Sequence, residues 1–127
     1  MPIRSYRDLV VWQRAIDLIA EVYALSAHFP ADERFGLTAQ VRRAAISVAA
    51  NIAEGSARAT SRDLLNFLSH SRGSLKEAES LLLIAQRLQF ATAAQCARAV
   101  AIGEETGRML NALRATIEKR NPRPTTR

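Results

Sequence analysis

Apolar residues recur along this chain at helical spacing, in four runs separated by short polar or proline-containing links. Leu9, Trp12, Ile16, Ile19 and Tyr23 form an i, i+3, i+4 stripe on a first helix that is expected to begin near Asp8. Ser5 and Asp8 stand at capping-box spacing, and Pro30 closes the helix shortly after His28. Gly36 is suited to a left-handed cap, and Thr38 is the expected cap of a second helix running to Gly55 or Ala57. Ser61 is the expected cap of a third helix. There Leu64, Leu68, Ser71, Leu75, Ala78, Leu82 and Ala85 alternate at spacings of four and three, the seam of a helix bundle. Gly73 breaks that pattern and suggests a close helix neighbour. Thr92 caps a fourth helix carried by Val100, Gly103, Gly107, Leu110, Leu113 and Ile117.

Four amphipathic helices on short links predict an all-α fold, an antiparallel up-and-down four-helix bundle. One domain over residues 1–120 is expected, followed by a flexible basic tail at 121–127, where Pro122 and Pro124 prevent helix. Strand signals are absent, and alanine and leucine dominate a chain with few aromatics.

The second helix departs from a simple surface pattern. Val41, Ala45, Val48 and Ile52 make one apolar stripe, while Ile46, Ala49, Ala50 and Ala53 make a second flank of mostly small residues. Gln40, Arg43, Ser47, Asn51, Glu54 and Arg58 share one polar arc. A helix apolar over most of its girth is a buried helix, and 127 residues supply little protein to bury it. A partner surface is therefore expected, with Ile46, Ala49, Ala50, Ala53, Gly103 and Gly107 as its close-approach positions. The polar arc reads first as a network fixing helix register, and second as a surface facing a ligand or the channel of an oligomer.

Charge adds a second theme. The net charge is +6, but residues 1–107 hold twelve basic and eleven acidic side chains, and residues 108–127 hold six basic against Glu118 alone. A basic end of this kind suits nucleic acid, an acidic surface or plain solubility. If nucleic acid is the partner, the phosphate contacts fall to Arg42, Arg43, Arg58, Arg62, Lys119, Arg120 and Arg123, with no recognition-helix or stacking signature to read sequence. Catalytic chemistry is not expected. The chain has no glycine-rich phosphate loop, nucleophile elbow or metal-binding pair, so neither a metal nor a cofactor is expected. His28, His70, Trp12, Tyr23 and the single cysteine, Cys96, read as surface or packing residues. No run reaches the ~18 apolar residues of a membrane span, and no signal peptide is evident, so a cytoplasmic protein without a membrane partner is expected.

Several blocks resemble a known family. They are Tyr-Arg-Asp-Leu-Val-Val-Trp-Gln-Arg-Ala at 6–15, Phe-Pro at 29–30, Glu-Arg-Phe-Gly-Leu-Thr-Ala-Gln-Val-Arg-Arg-Ala-Ala-Ile-Ser-Val-Ala-Ala-Asn-Ile-Ala-Glu-Gly at 33–55 and Gly-Ser-Leu-Lys-Glu-Ala-Glu at 73–79. Together they are similar to the four-helix bundle proteins first noticed as reading frames in intervening sequences of bacterial large-subunit ribosomal RNA genes. The resemblance implies an antiparallel bundle that assembles as a homo-oligomeric ring, with a pentamer favoured. A related group, the accessory proteins of diversity-generating retroelements, implies RNA or DNA binding by analogy. The alternative is a protein-protein interaction scaffold with no nucleic-acid role. This chain differs from that basic group in its nearly neutral body.

Overall fold

The computed structural model describes residues 5–120, and over these the chain is four helices joined by short links. They are α1 (Val10–Ser26), α2 (Leu37–Ser56), α3 (Ser61–Arg87) and α4 (Ala93–Arg120), with 3-10 turns at Tyr6–Asp8 and Ala31–Glu33. No strand occurs among the described residues. The helices form a square in which α1 and α3 each pack on both α2 and α4, while the diagonal pairs make no close backbone contact. This is the antiparallel four-helix bundle that the periodicity predicts. The expected tail at 121–127 lies outside the described residues.

Each side of the square carries a contact that fixes its register. Between α2 and α3, the Ser71 hydroxyl donates to the Val48 carbonyl at 2.8 Å, and Ser74 and Ser47 join hydroxyl to hydroxyl at 2.8 Å. Between α1 and α4, the ion pairs are Arg98–Glu21 at 2.9 Å and Arg14–Glu105 at 3.0 Å, the latter outside good hydrogen-bond angles. Between α1 and α2, Arg42 Nε donates to the Ser26 hydroxyl at 2.8 Å and its guanidinium lies 4.4 Å from the Tyr23 ring centre. Between α3 and α4, Leu75 lies against the glycines of α4: a Cβ at Gly103 or Gly107 would stand 3.5 or 3.3 Å from its methyl groups.

The helix ends follow local chemistry, with corrections to the expected caps. Ser5 accepts from the Arg7 amide at 3.2 Å and so caps the 3-10 turn, which delays α1 to Val10. Thr38 is buried and caps nothing: the Glu33 carboxylate instead accepts from the Leu37 amide at 3.0 Å. Gly36, with φ −103°, is not left-handed. Thr60, one residue before the expected Ser61, accepts from the Asp63 amide at 3.1 Å. Thr92 behaves as expected: it accepts from the Gln95 amide at 3.1 Å, and the Gln95 side chain accepts from the Thr92 amide at 2.9 Å, a reciprocal capping box. Between these helices Gln89 takes φ 64° and the Phe90 amide reaches the Ala85 carbonyl at 2.8 Å, the Schellman closure that ends α3.

The core is built from α1 Val11, Ala15, Leu18 and Val22, α2 Val41, Ala45, Val48 and Ile52, α3 Leu68, Leu75, Ala78 and Leu82, and α4 Cys96, Ala99 and Leu110. The expected stripes of α2 and α3 match this. On α4, Gly103, Leu110 and Ile117 are buried as expected, while Val100, Gly107 and Leu113 are half-buried. Cys96, Ala99 and Thr106 complete its buried face. On α1 the buried face is displaced by roughly a quarter-turn: Ile16 and Tyr23 remain 39% and 41% exposed, and Trp12 and Ile19 are half-buried. The reason is that α1 carries two adjacent apolar stripes, and the bundle centre takes the slimmer one containing Ala15.

Gly73 was expected to mark a close neighbour, but a Cβ there would meet nothing within 4 Å. Gly55 is the crowded position, where a Cβ would stand 2.8 Å from that of Phe67. Gly73→Ala should therefore raise unfolding free energy by up to about 1 kcal/mol, the helix-propensity difference. Gly55→Ala should lower it by about 1–3 kcal/mol, the usual cost of overpacking. Urea denaturation followed by circular dichroism checks both signs.

Candidate nucleic-acid interface

Up-and-down topology brings the C-terminus of α2, the N-terminus of α3, the C-terminus of α4 and the Tyr6–Asp8 turn to one end of the bundle. The contacts of Leu75 with Gly103 and Gly107 set the level of α4 against α3. Counting in opposite directions from them at about 1.5 Å per residue places Lys119 and Arg120 level with Ser61 and Arg62. The bond from Ser71 to Val48 sets α2 in the same way and brings Arg58 to this level. Four of the seven expected cations therefore share one end.

Their states differ. Arg58 is paired with Glu54 at 2.8 Å and lies 4.7 Å from the Phe67 ring centre, which fixes its position beside the α2–α3 link. Arg62, Lys119 and Arg120 are exposed, and none has a hydrogen bond, ion pair or ring contact among the described residues. Lys119 and Arg120 also sit at the C-terminal turn of α4, where the helix dipole favours positive charge. Asp8, Asp63 and Glu118 are the other acids of this end besides Glu54.

The structure separates Arg42 and Arg43 from that group, placing them in the opposite half of α2. Arg42 is half-buried on the α1–α2 side, where it holds Ser26 and covers Tyr23. Arg43 is exposed and borders a shallow recess with Gln40, Ser47 and Glu77. Arg123 lies outside the described residues.

The polar arc of α2 faces α3. Asn51 donates to the Ser47 carbonyl at 2.8 Å and to its hydroxyl at 2.9 Å, and Ser47 continues to Ser74. This is the register-fixing network anticipated for the arc, with Arg43 standing outside it. Of the expected close-approach positions, Ala49 is buried and Gly103 packs on Leu75 within the chain, as does half-buried Gly107. Ala53 is half-buried, Ala50 is exposed and Ile46 is 42% exposed. Stepping in opposite directions from the Arg42–Tyr23 contact brings Ile19 level with Ile46, and Ile16 level with Ala49 and Ala50. An uncharged strip thus runs along the outer seam of α1 and α2.

Sequence reading passed over one further feature. Between α3 and α4 lies a groove of about 620 Å³ whose walls include Arg72, Lys76 and Arg108. Each is an isolated charge on a polar helix face, so nothing in the linear pattern groups them. Only the register of α3 on α4 does so.

Other chemistry is sparse. Burial pushes the Cys96 thiol above its ordinary value, partly offset by a hydrogen bond with the Gln86 side chain, so the group is a packed hydrophobe rather than a nucleophile. His28 and His70 are exposed, and His70 lies edge-on to the Phe67 ring at 6.1 Å. Among the described residues no three His, Cys, Asp or Glu side chains could hold a metal. No described helix is long and apolar enough to cross a membrane.

Comparison with known proteins agrees with this fold. A crystal structure of a protein of unknown function from the S23 ribosomal protein family of Bacteroides thetaiotaomicron VPI-5482 superposes with a TM-score of 0.73 at 20% identity, covering 82% of this chain and 97% of that one. No curated protein matches the sequence. The 23S rRNA-intervening sequence protein family matches over residues 7–112, most of the bundle. By that match, the chain belongs to the 23S rRNA-intervening sequence protein family.

Proposed function

We propose that this protein is a non-enzymatic, self-associating helical bundle that binds nucleic acid through phosphate contacts at one end of the bundle. The observation that carries the reading is the convergence of Arg62, Lys119 and Arg120 there, exposed and without partners among the described residues. Arg14, Arg58, Lys76 and Arg98 are held by carboxylates, whereas these three side chains are held by none among the described residues. With Arg7 of the Tyr6–Asp8 turn, five cations of this end stand against Asp8, Glu54, Asp63 and Glu118, an excess of one positive charge among the described residues. Arg62, Lys119 and Arg120 are held by no ion pair there. Arginine and lysine side chains there match phosphate oxygens, and the aromatic rings of this end, Tyr6 and Phe67, are engaged with Trp12 and Arg58.

Self-association rests on the uncharged strip of Ile16, Ile19, Ile46 and Ala50 between α1 and α2. Repetition of the basic end around a symmetric assembly would multiply its field, which is how weak single-protomer contacts become useful. A ring of five is the favoured count.

Two measurements test this. Fluorescence anisotropy with mixed-sequence single-stranded RNA and DNA should give sequence-blind binding. If Arg62, Lys119 and Arg120 each neutralise a phosphate, affinity should fall at least about twenty-fold between ~50 and ~200 mM salt, from a slope near 0.7 per contact on a single strand. The triple change R62Q/K119Q/R120Q should remove most of that slope without loss of helicity. Absence of binding at ~50 mM salt refutes the reading and leaves an interaction scaffold. For assembly, light scattering should give a multiple of the 14.0 kDa chain mass, reduced to 14.0 kDa by I46E/A50E. A monomer in the unsubstituted protein refutes self-association.

A further inference from the structure

The α3–α4 groove continues the basic end along the length of the bundle. Arg72 and Lys76 follow one another on the α3 wall of the groove, about 6 Å apart at helical rise, and exposed Arg62 lies about 15 Å below Arg72 on the same helix. On α4, Lys119 lies about 16 Å below Arg108 in the same way. Arg72 and Arg108 line the groove at the same level, as the contacts of Leu75 with Gly103 and Gly107 require. Both are exposed and have no partner among the described residues. Half-buried Arg114 lies between the two groups on α4, its Nε enclosed without a hydrogen-bond acceptor.

The acids of the groove are distributed unevenly. Glu79, with Leu83 and Val100, lines its upper part and holds Lys76 at 3.3 Å, and Glu104 stands at mid-level, one turn above Arg108. Below it, Asp63 of α3 and Glu118 of α4 are the acids, against Arg62, Arg72, Arg108, Arg114 and Lys119. At the level of Arg72 and Arg108 the floor is Leu75 against Gly107, and below it α4 contributes Asn111 and half-buried Arg114.

We propose that the lower half of the α3–α4 groove, from Arg62 and Lys119 up to Arg72 and Arg108, is the track for a single phosphodiester strand. The inference rests on the nucleic-acid reading above and gives that reading a path. Two packed helices lie only about 8–10 Å apart, so the groove between them admits one backbone and excludes a double helix. The stretch from Arg62 to Arg72 is about 15 Å, which spans about four phosphates at the ~3.4 Å rise of one stacked strand. Recognition is of backbone charge, so RNA and DNA strands share the track.

The test compares R72Q/R108Q with R34Q/R87Q, a control with the same charge change at exposed cations away from the track. Anisotropy is read with single-stranded RNA, single-stranded DNA and duplex DNA. The groove variant should bind both single strands roughly tenfold or more weakly at ~50 mM salt, and its log–log salt slope should fall by about 1.4, which is 0.7 for each lost contact. The control should stay within about twofold of the unsubstituted protein, R72K/R108K should restore binding, and an abasic phosphodiester strand should compete. If the groove variant behaves like the control while the unsubstituted protein binds, the track is wrong and the end cluster stands. If the unsubstituted protein binds no strand, both fail together. Duplex binding as tight as single-strand binding, or equal competition by polyglutamate, overturns the single-strand assignment.

Discussion

The close seam between α2 and α3 is the constraint on which the arrangement depends. Small residues on α2, Ala44 and Gly55, allow an approach at which the buried Ser71 hydroxyl reaches the Val48 backbone carbonyl. Dispersion between apolar side chains tolerates sliding by a turn, whereas a buried hydroxyl is satisfied at one register and costs about 1–3 kcal/mol when stranded. The Ser47–Ser74 pair repeats the specification one turn away. Short links then propagate this register to the rest of the bundle.

A helix held tightly on one side is held less tightly on the other. α3 packs much more extensively on α2 than on α4, and the space that remains is the groove with Leu75 and the α4 glycines at its floor. Gly103 and Gly107 therefore have a double effect. They let α4 approach Leu75, and at their own level they leave the groove without side chains to fill it. A larger residue at Gly107 would press on Leu75 and narrow the groove at the level of Arg108.

Much of this was legible in the sequence where pattern and geometry coincide. Four helices, their order, the α3 seam and the Thr92 cap follow from spacing and hydrogen-bonding capacity alone. The misreadings have a common origin in choices between equivalents. α1 offers two apolar stripes of similar strength, and only the shape of the bundle centre selects the one with Ala15. Thr60 and Ser61 are both competent caps, and Glu33 outcompetes Thr38 from outside the helix. Gly73 and Gly55 look alike in sequence and differ in what a Cβ would meet. The candidate interface was legible only in part for a related reason. Sequence separates Arg62 from Lys119 by more than fifty residues, and it sets Arg42 beside Arg43 although one is committed to Ser26 and Tyr23 and the other is not.

That last contrast explains how a nearly neutral body can carry a local positive field. The ion pairs along α1 and α4 draw acids and bases together in the middle of the bundle: Arg14 with Asp17 and Glu105, and Arg98 with Glu21. Exposed pairs of this kind add little stability, about 0–1 kcal/mol each. Their larger effect is on distribution, because each carboxylate engaged on the α1–α4 side is absent from the α3–α4 side. Arg62, Arg72, Arg108, Lys119 and Arg120 are left with solvent as their partner. Within a Debye length of about 8–10 Å at ordinary ionic strength, a ligand at that face experiences those charges and not the molecular average. Net charge therefore understates the attraction of this face for a polyanion, and the placement of pairs around the bundle decides where that attraction acts.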